Sequence, residues 1–361
     1  MYNQEEEEVN PNILGRDFPV LVTGGSGYMA SWLVKYLLED GYKVRVTVRD
    51  LDNQDKYRHL EKIAERSPGS LEVFEANLLD PNAFKICMNG CNVVFHTASP
   101  YLMTGIKDPK KQLIDPSYEG TRNVLEAVNK AHSVKKVIFT SAISAIYGDA
   151  SDIIHTKDNK FTEAYWNKSS NLKHQPLGFA KTVAEREAWR IHDEQSRWKM
   201  ATLNPALFVG PSLTYKSGSG SFDFVKRMAN GTLKNGVPNL KYGLVDVRDV
   251  AHAHMFAAQD EYALGRFMLV SEVKSMLEVS KILSKKFGEA YPFPKDEISQ
   301  RMLYFFGFTQ GYSRKMVVEN VNKPLEFDNT KSRHELGVYY KPVDEALTEM
   351  LNYIVENNML V

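Results

Sequence analysis

The 361-residue chain predicts an α/β protein, a doubly wound parallel sheet carrying a smaller, mostly helical lobe. Three observations predict it. Strand-like and helix-like segments alternate from Val20 to about Leu203, a glycine-rich turn follows the first strand, and the alternation breaks near Ser212.

Val20 to Thr23 is a short apolar run ending at glycines, and Ser31 to Leu38 continues it as a helix. Val44 to Val48 alternates with period two, the signature of a strand. Leu71 to Phe74, Val93 to His96, Lys136 to Thr140 and Ala201 to Leu203 supply further strands, with helices at Gly120 to Ala131 and Lys181 to Gln195. After the polar, glycine-rich loop from Thr214 to Ser221, Phe222 to Asn230 reads as helical. The chain is expected to rejoin the sheet around Val245 and again at Phe267 to Val270. The remainder is helical, with an aromatic patch from Tyr304 to Phe308 whose expected role is core packing.

The turn Thr23-Gly-Gly-Ser-Gly-Tyr-Met-Ala30 joins the first strand to the first helix. Gly24 permits a tight turn, Gly27 lets backbone approach a pyrophosphate, and Ala30 is small where helix meets strand. The helix start offers oriented N–H donors to an anion. This is the phosphate turn of a Rossmann-type fold. Residues 18–212 and 244–270 are therefore assigned to a dinucleotide-binding domain, and 213–243 and 271–361 to a substrate lobe across the cleft. Residues 1–17, acidic from Glu5 to Glu8, are expected to form a flexible tail. At the end of the second strand Arg49 and Asp50 compete. An arginine suits a 2′-phosphate and an acid suits ribose hydroxyls. With Arg45 and Lys56 nearby, NADP(H) is favoured over NAD(H).

Lys+Arg and Asp+Glu both total 45, so no global field draws nucleic acid or an anionic membrane. No apolar run approaches the roughly 20 residues of a membrane helix, and the start lacks a signal-peptide core. A cytoplasmic protein is expected. Cys87 and Cys91 are too few for a disulfide framework and read as half-buried thiols at one helix end, with a thiol switch as the alternative. The nine histidines show no ligand spacing, so no metal site is expected; His252 and His254 should face different directions on one helix.

Several ordered motifs carry a resemblance: Val22 to Trp32, Thr47 to Asp50, Val94 to Pro100, Val137 to Ser141, Lys181 to Glu185, Asn204 to Pro211 and Val245 to Ala251. The chain resembles extended short-chain dehydrogenase/reductases of the dihydroflavonol reductase and cinnamoyl-CoA reductase group, which also includes microbial aldehyde and ketone reductases. The resemblance implies that Gly24, Gly27 and Ala30 form the diphosphate turn, with Tyr28 and Met29 beside them. It places Arg49 and Lys56 at the 2′-phosphate, Asn77 and Leu78 near the adenine, and Ala98 beneath the cofactor. Lys181 matches the lysine holding the nicotinamide ribose, and Pro205 borders the nicotinamide. A small-molecule carbonyl or imine substrate is implied.

Two positions depart from that pattern. Ala142 stands where the family carries the serine that polarises the substrate carbonyl. Leu177 stands where it carries the proton-donating tyrosine. A phenol titrates near pH 10, and a lysine one helical turn away lowers that by favouring the phenolate. General acid catalysis is typically worth about 10²–10⁴-fold and one oxyanion donor about 10²–10³-fold. Three readings stay open: a carbonyl reductase with weakened or rerouted proton delivery, a reductase of imines, which need no acid, and a non-catalytic or engineered-inactive NADP-binding protein. Ser144, Tyr147, His174 and Tyr215 are candidate substitutes for the lost groups, and Ser141 should face away from the site.

Overall fold

The computed structural model describes residues 14–100, 105–214 and 219–360. Among the described residues twelve strands run β1 (Val20–Thr23), β2 (Lys43–Val48), β3 (Ser70–Glu75), β4 (Val93–His96), β5 (Lys136–Thr140), β6 (Lys199–Pro205), β7 (Leu207–Val209), β8 (Val237–Pro238), β9 (Lys241–Asp246), β10 (Gly265–Leu269), β11 (Glu272–Ser275) and β12 (Glu297–Ile298). The α-helices are α1 (Tyr28–Glu39), α2 (Arg58–Ala64), α3 (Lys85–Met88), α4 (Asp115–Lys130), α5 (Pro176–Asp193), α6 (Gly220–Ala229) and α7 (Val247–Gln259). After them come α8 (Met276–Phe287), α9 (Gln300–Phe306), α10 (Arg314–Asn320), α11 (Thr330–Glu335) and α12 (Val343–Glu356).

The seven-stranded central sheet has the order β10-β6-β5-β4-β1-β2-β3, and every pairing in it is parallel. Its strands are apolar on both faces because helices cover both. Val20, Val22, Val93, Phe95 and Ile138 pack toward α1 and α7, whereas Leu21, Val94 and Val137 pack toward α4 and α5. Strand order reverses at β1, which pairs with β2 on one side and β4 on the other. A crevice opens there beyond the carboxyl ends of the strands, the place where such sheets bind ligands.

Val245 does not return the chain to this sheet. Lys241–Asp246 instead pairs in parallel with β7 and antiparallel with β11, making a separate three-stranded sheet. Asp246 then caps α7 by accepting from the Arg248 N–H at 2.7 Å, so the segment ends by feeding a helix back onto the dinucleotide domain. Phe267 does rejoin the central sheet, through β10 beside β6.

Three other expectations change. Leu14 is fully buried in the main core, so packing begins inside the segment expected to be a tail. Cys87 and Cys91 are both fully buried, and desolvation pushes their thiols up to about 11 and 12, which disfavours the thiolate a switch would need. The aromatic patch is not core: Phe305, Phe306 and Phe308 are 59%, 66% and 71% exposed. Among the described residues no helix is long and apolar enough to cross a membrane.

Candidate active site

The glycine turn is held by its neighbours rather than by its own side chains. Gly24 adopts φ +65°, and its N–H donates to Thr47 Oγ1 at 3.0 Å, while the Gly25 N–H donates to the Thr47 carbonyl at 3.2 Å. A Cβ on Gly24 would lie 3.0 Å from Ala98 Cβ, and one on Gly25 would lie 2.6 Å from Val46 Cγ1. Both glycines are therefore required by close approach, and Gly25 is one the sequence reading passed over. Gly27 caps α1 with no side chain to occupy the first-turn N–H groups of Tyr28, Met29 and Ala30, which have no intrahelical partner. The Tyr28, Met29 and Ala30 side chains are buried, and the Tyr28 hydroxyl donates to the Gly210 carbonyl. What remains for a ligand is backbone donors at a positive helix end, a donor set that fits a diphosphate.

Thr23 ties this turn to β4. Its hydroxyl accepts from the Ala98 N–H at 3.1 Å and is hydrogen-bonded to His96 Nδ1 at 2.9 Å. His96 is buried edge-on against Phe139, a packing role. At the far end of the crevice Arg49, Asp50 and Lys56 are all exposed. The Asp50 carboxylate accepts from the Asp52 N–H at 3.0 Å, which turns one oxygen into its own loop. The concavity in that loop is lined by Asp50, Asp52 and Asp55 together with Asn53 and Gln54, an acidic rather than a cationic surface. Asn77 is exposed, with its Oδ1 accepting from the Leu79 N–H. Leu78 is oriented by α4: Asn123 Nδ2 donates to its carbonyl at 2.8 Å, and the absence of a side chain at Gly120 admits it.

Helix α5 carries Leu177 and Lys181. Gln175, at φ +52°, and Pro176 start it, and Leu177 precedes Lys181 by one turn. Lys181 Nζ donates to Ser99 Oγ at 3.1 Å. Burial lowers its pKa to about 8, with the Glu185 carboxylate opposing the fall. Leu177 joins an apolar cluster with Ile106, Leu113 and Ile114 and offers no donor. Ala142 follows β5, and its carbonyl accepts from Asn204 Nδ2 at 3.2 Å. Pro205 closes β6 and is buried.

Among the described candidate substitutes, only His174 has its side-chain polar group held by a hydrogen bond. Ser141 Oγ donates to Glu185 Oε2 at 2.5 Å, away from the reacting side of Lys181. Ser144 lies in a 3₁₀ turn, not on a continued strand, and its carbonyl accepts from Asn167. Tyr147 stacks on Phe161 at 4.8 Å, and His174 Nε2 is bound by the buried Asp149 carboxylate at 2.8 Å. Tyr215 lies outside the described residues. His254 is bonded to Thr140 and Val250, whereas His252 stacks on Tyr36, so the two do face apart.

Sequence reasoning missed two groups here. Ser99 was visible only inside the motif ending at Pro100. Glu185, fully buried one turn beyond Lys181, receives Ser141, Asn204 Nδ2 at 2.7 Å and Arg266 Nε at 2.5 Å. Arg266 also stacks over Trp166 at 4.0 Å. No spacing in the sequence joins residue 266 to residue 185.

The model of the NAD dependent epimerase/dehydratase family matches residues 20–267. The chain belongs to that family. Within it, the chain is an extended short-chain dehydrogenase/reductase of the dihydroflavonol and cinnamoyl-CoA reductase group, and an oxidoreductase. It is 40% identical over 341 residues to "Cinnamoyl-CoA reductase CAD2" of Medicago truncatula, covering 93% of this chain and 95% of that one. It is 34% identical over 329 residues to an anthocyanidin reductase of Vitis vinifera, covering 86% and 95%. Among solved structures, Gre2 of Candida albicans in complex with NADPH superposes with a TM-score of 0.74 at 27% identity, over 94% of this chain and 99% of that chain.

Proposed function

We propose that the protein is an NADP(H)-dependent reductase of small aldehydes or ketones in which Lys181 itself delivers the proton. When bound, the reduced dinucleotide supplies a hydride to the carbonyl carbon. The developing alkoxide then needs a proton, and neither residue 142 nor residue 177 has one to give. Lys181 Nζ holds protons at a group lowered to about 8, close to the working pH that favours a general acid. The Ser99 hydroxyl beside it accepts from that ammonium and holds it in place. The observation that carries this reading is the Lys181–Ser99 contact, with Leu177 one turn earlier. NADP(H) is favoured over NAD(H) because Arg49 is exposed at the end of β2 while Asp50 bonds within its own loop.

A second reading draws on the same apolar position. An iminium becomes a neutral amine on taking hydride, so Leu177 would cost such a reaction nothing.

Steady-state NADPH oxidation separates the readings. With aldehydes, the rate should fall as pH rises through about 8, because the protonated Lys181 is then lost. Turnover with cyclic imines but not with matched ketones selects the second reading. Saturable NADPH binding with no turnover on any of them leaves only a binding protein. Arg49→Ala should weaken NADPH binding by about tenfold or more, as loss of one charge-assisted phosphate contact does, and leave NADH unchanged; equal effects on both would defeat the 2′-phosphate assignment.

A further inference from the structure

We propose that α9 and the turn after it form a docking face for an anionic lipid surface. The face begins at Ser299, whose side chain caps the helix by accepting from the Met302 N–H at 3.3 Å. Leu303 and Val317 are buried and pin α9 and α10 to the lobe, and the Tyr312 N–H donates to the Gly307 carbonyl at 2.9 Å. This anchoring turns Met302, Phe305, Phe306 and Phe308 outward, all more than half exposed. Large aromatic side chains bury about 150–250 Å² each, so the three phenylalanines alone display roughly 400 Å² of apolar surface. Apolar patches of that size on a soluble chain mark interaction sites.

Charge selects the occupant. From Ser299 to Val318 the sequence contains Arg301, Arg314 and Lys315 and no acidic residue. Arg314 lies over the Tyr304 ring at 5.3 Å, and all three basic residues are exposed. The carboxylates that flank the stretch in sequence are the exposed Asp296 and Glu297 before it and Glu319 after it, which is held by the Ser151 hydroxyl at 2.6 Å; Lys315 shares a concavity with Asp149, Asp152 and Glu319. Protruding phenylalanines flanked by Arg and Lys match the interfacial pattern that enters the headgroup boundary and is drawn to anionic lipids. The chain's balanced total charge does not oppose this, since attraction at a surface acts over about one Debye length.

Co-sedimentation of the full chain with vesicles tests the proposal. Phosphatidylcholine vesicles carrying a third phosphatidylserine should bind it roughly 10–100-fold more tightly than phosphatidylcholine alone, with the difference shrinking at high salt. Phe305→Ser combined with Phe306→Ser and Phe308→Ser should reduce binding at least about tenfold, and Arg301→Gln with Lys315→Gln should remove the anionic preference. Phe306→Trp provides a readout in an otherwise unaltered face: its emission should shift to the blue and be quenched by brominated acyl chains. Equal binding to neutral and anionic vesicles, an unquenched Phe306→Trp, or a wild-type dimer by sedimentation velocity that the triple-serine variant abolishes would each overturn it.

Discussion

Restoring a hydroxyl at both altered positions, Ala142→Ser with Leu177→Tyr, tests how much chemistry the site has surrendered. Position 177 lies on α5 four residues before Lys181, so the two Cβ atoms are about 5–6 Å apart on one helix face. A phenol there would stand beside an ammonium and have its pKa lowered, as a proton donor at neutral pH requires. General acid catalysis at about 10²–10⁴-fold and a carbonyl-polarising hydroxyl at about 10²–10³-fold would multiply only if independent. Groups that act on one oxygen do not. The expected gain in kcat with aldehydes is therefore about 10³–10⁵-fold, or roughly 4–7 kcal/mol of barrier. KM should change little, because neither Ala142 nor Leu177 holds a substrate through a polar contact. Loss of NADPH absorbance across a matched aldehyde, ketone and cyclic imine measures this. An unchanged kcat in a variant with the parent's NADPH affinity and melting temperature would refute the reasoning, and would mean that other groups carry the reaction.

Three further outcomes follow from the packing. Gly25→Ala puts a methyl 2.6 Å from Val46 Cγ1 in the core, so the turn must shift; calorimetry should show NADPH binding weakened about tenfold or more, as overpacking of 1–3 kcal/mol implies. Glu185→Ala strands Arg266 without its anion; denaturant unfolding should show a loss of about 3–5 kcal/mol, and a loss under about 1 kcal/mol would show that the pair is not integral. His96 and His254 are buried and held down to about 3 and about 4, against an ordinary value near 6.5. Below pH 6.5 the unfolded chain binds protons that the folded chain refuses, so stability falls with pH by about 1.4 kcal/mol per unit for each histidine. These two histidines contribute about 3–4 kcal/mol to the difference in unfolding between pH 7 and pH 5; His59, held down to about 4, adds to it and Asp249, pushed up to about 6, opposes it. Replacing both His96 and His254 by Gln should flatten the profile by that amount, and an unchanged slope would contradict their neutral burial.

The strands of the dinucleotide domain were legible because parallel strands covered on both faces are short apolar runs bounded by turns. Val20–Thr23, Val93–His96 and Lys136–Thr140 match residue for residue. Lys241–Asp246 was placed in the wrong sheet because its buried residues suit any sheet; only long-range pairing decides. The phenylalanines of α9 were misread for a related reason: apolar composition predicts burial but does not say which side has a partner. At the site, motif positions such as Gly24 and Lys181 could be read locally. Gly25, Ser99 and the Glu185–Arg266 pair could not, since each owes its role to a neighbour from 21 to 82 positions away.

The anchoring of Glu185 bears on how such a protein can change. It binds Ser141, the residue just after β5, together with β6 through Asn204 and β10 through Arg266, fixing the pose of α5 from behind. None of those bonds passes through residue 142 or 177 side chains. The framework that aims the lysine is thus separable from the groups that handle protons, and a lineage could exchange one reactive set for another without ever passing through an unfolded ancestor.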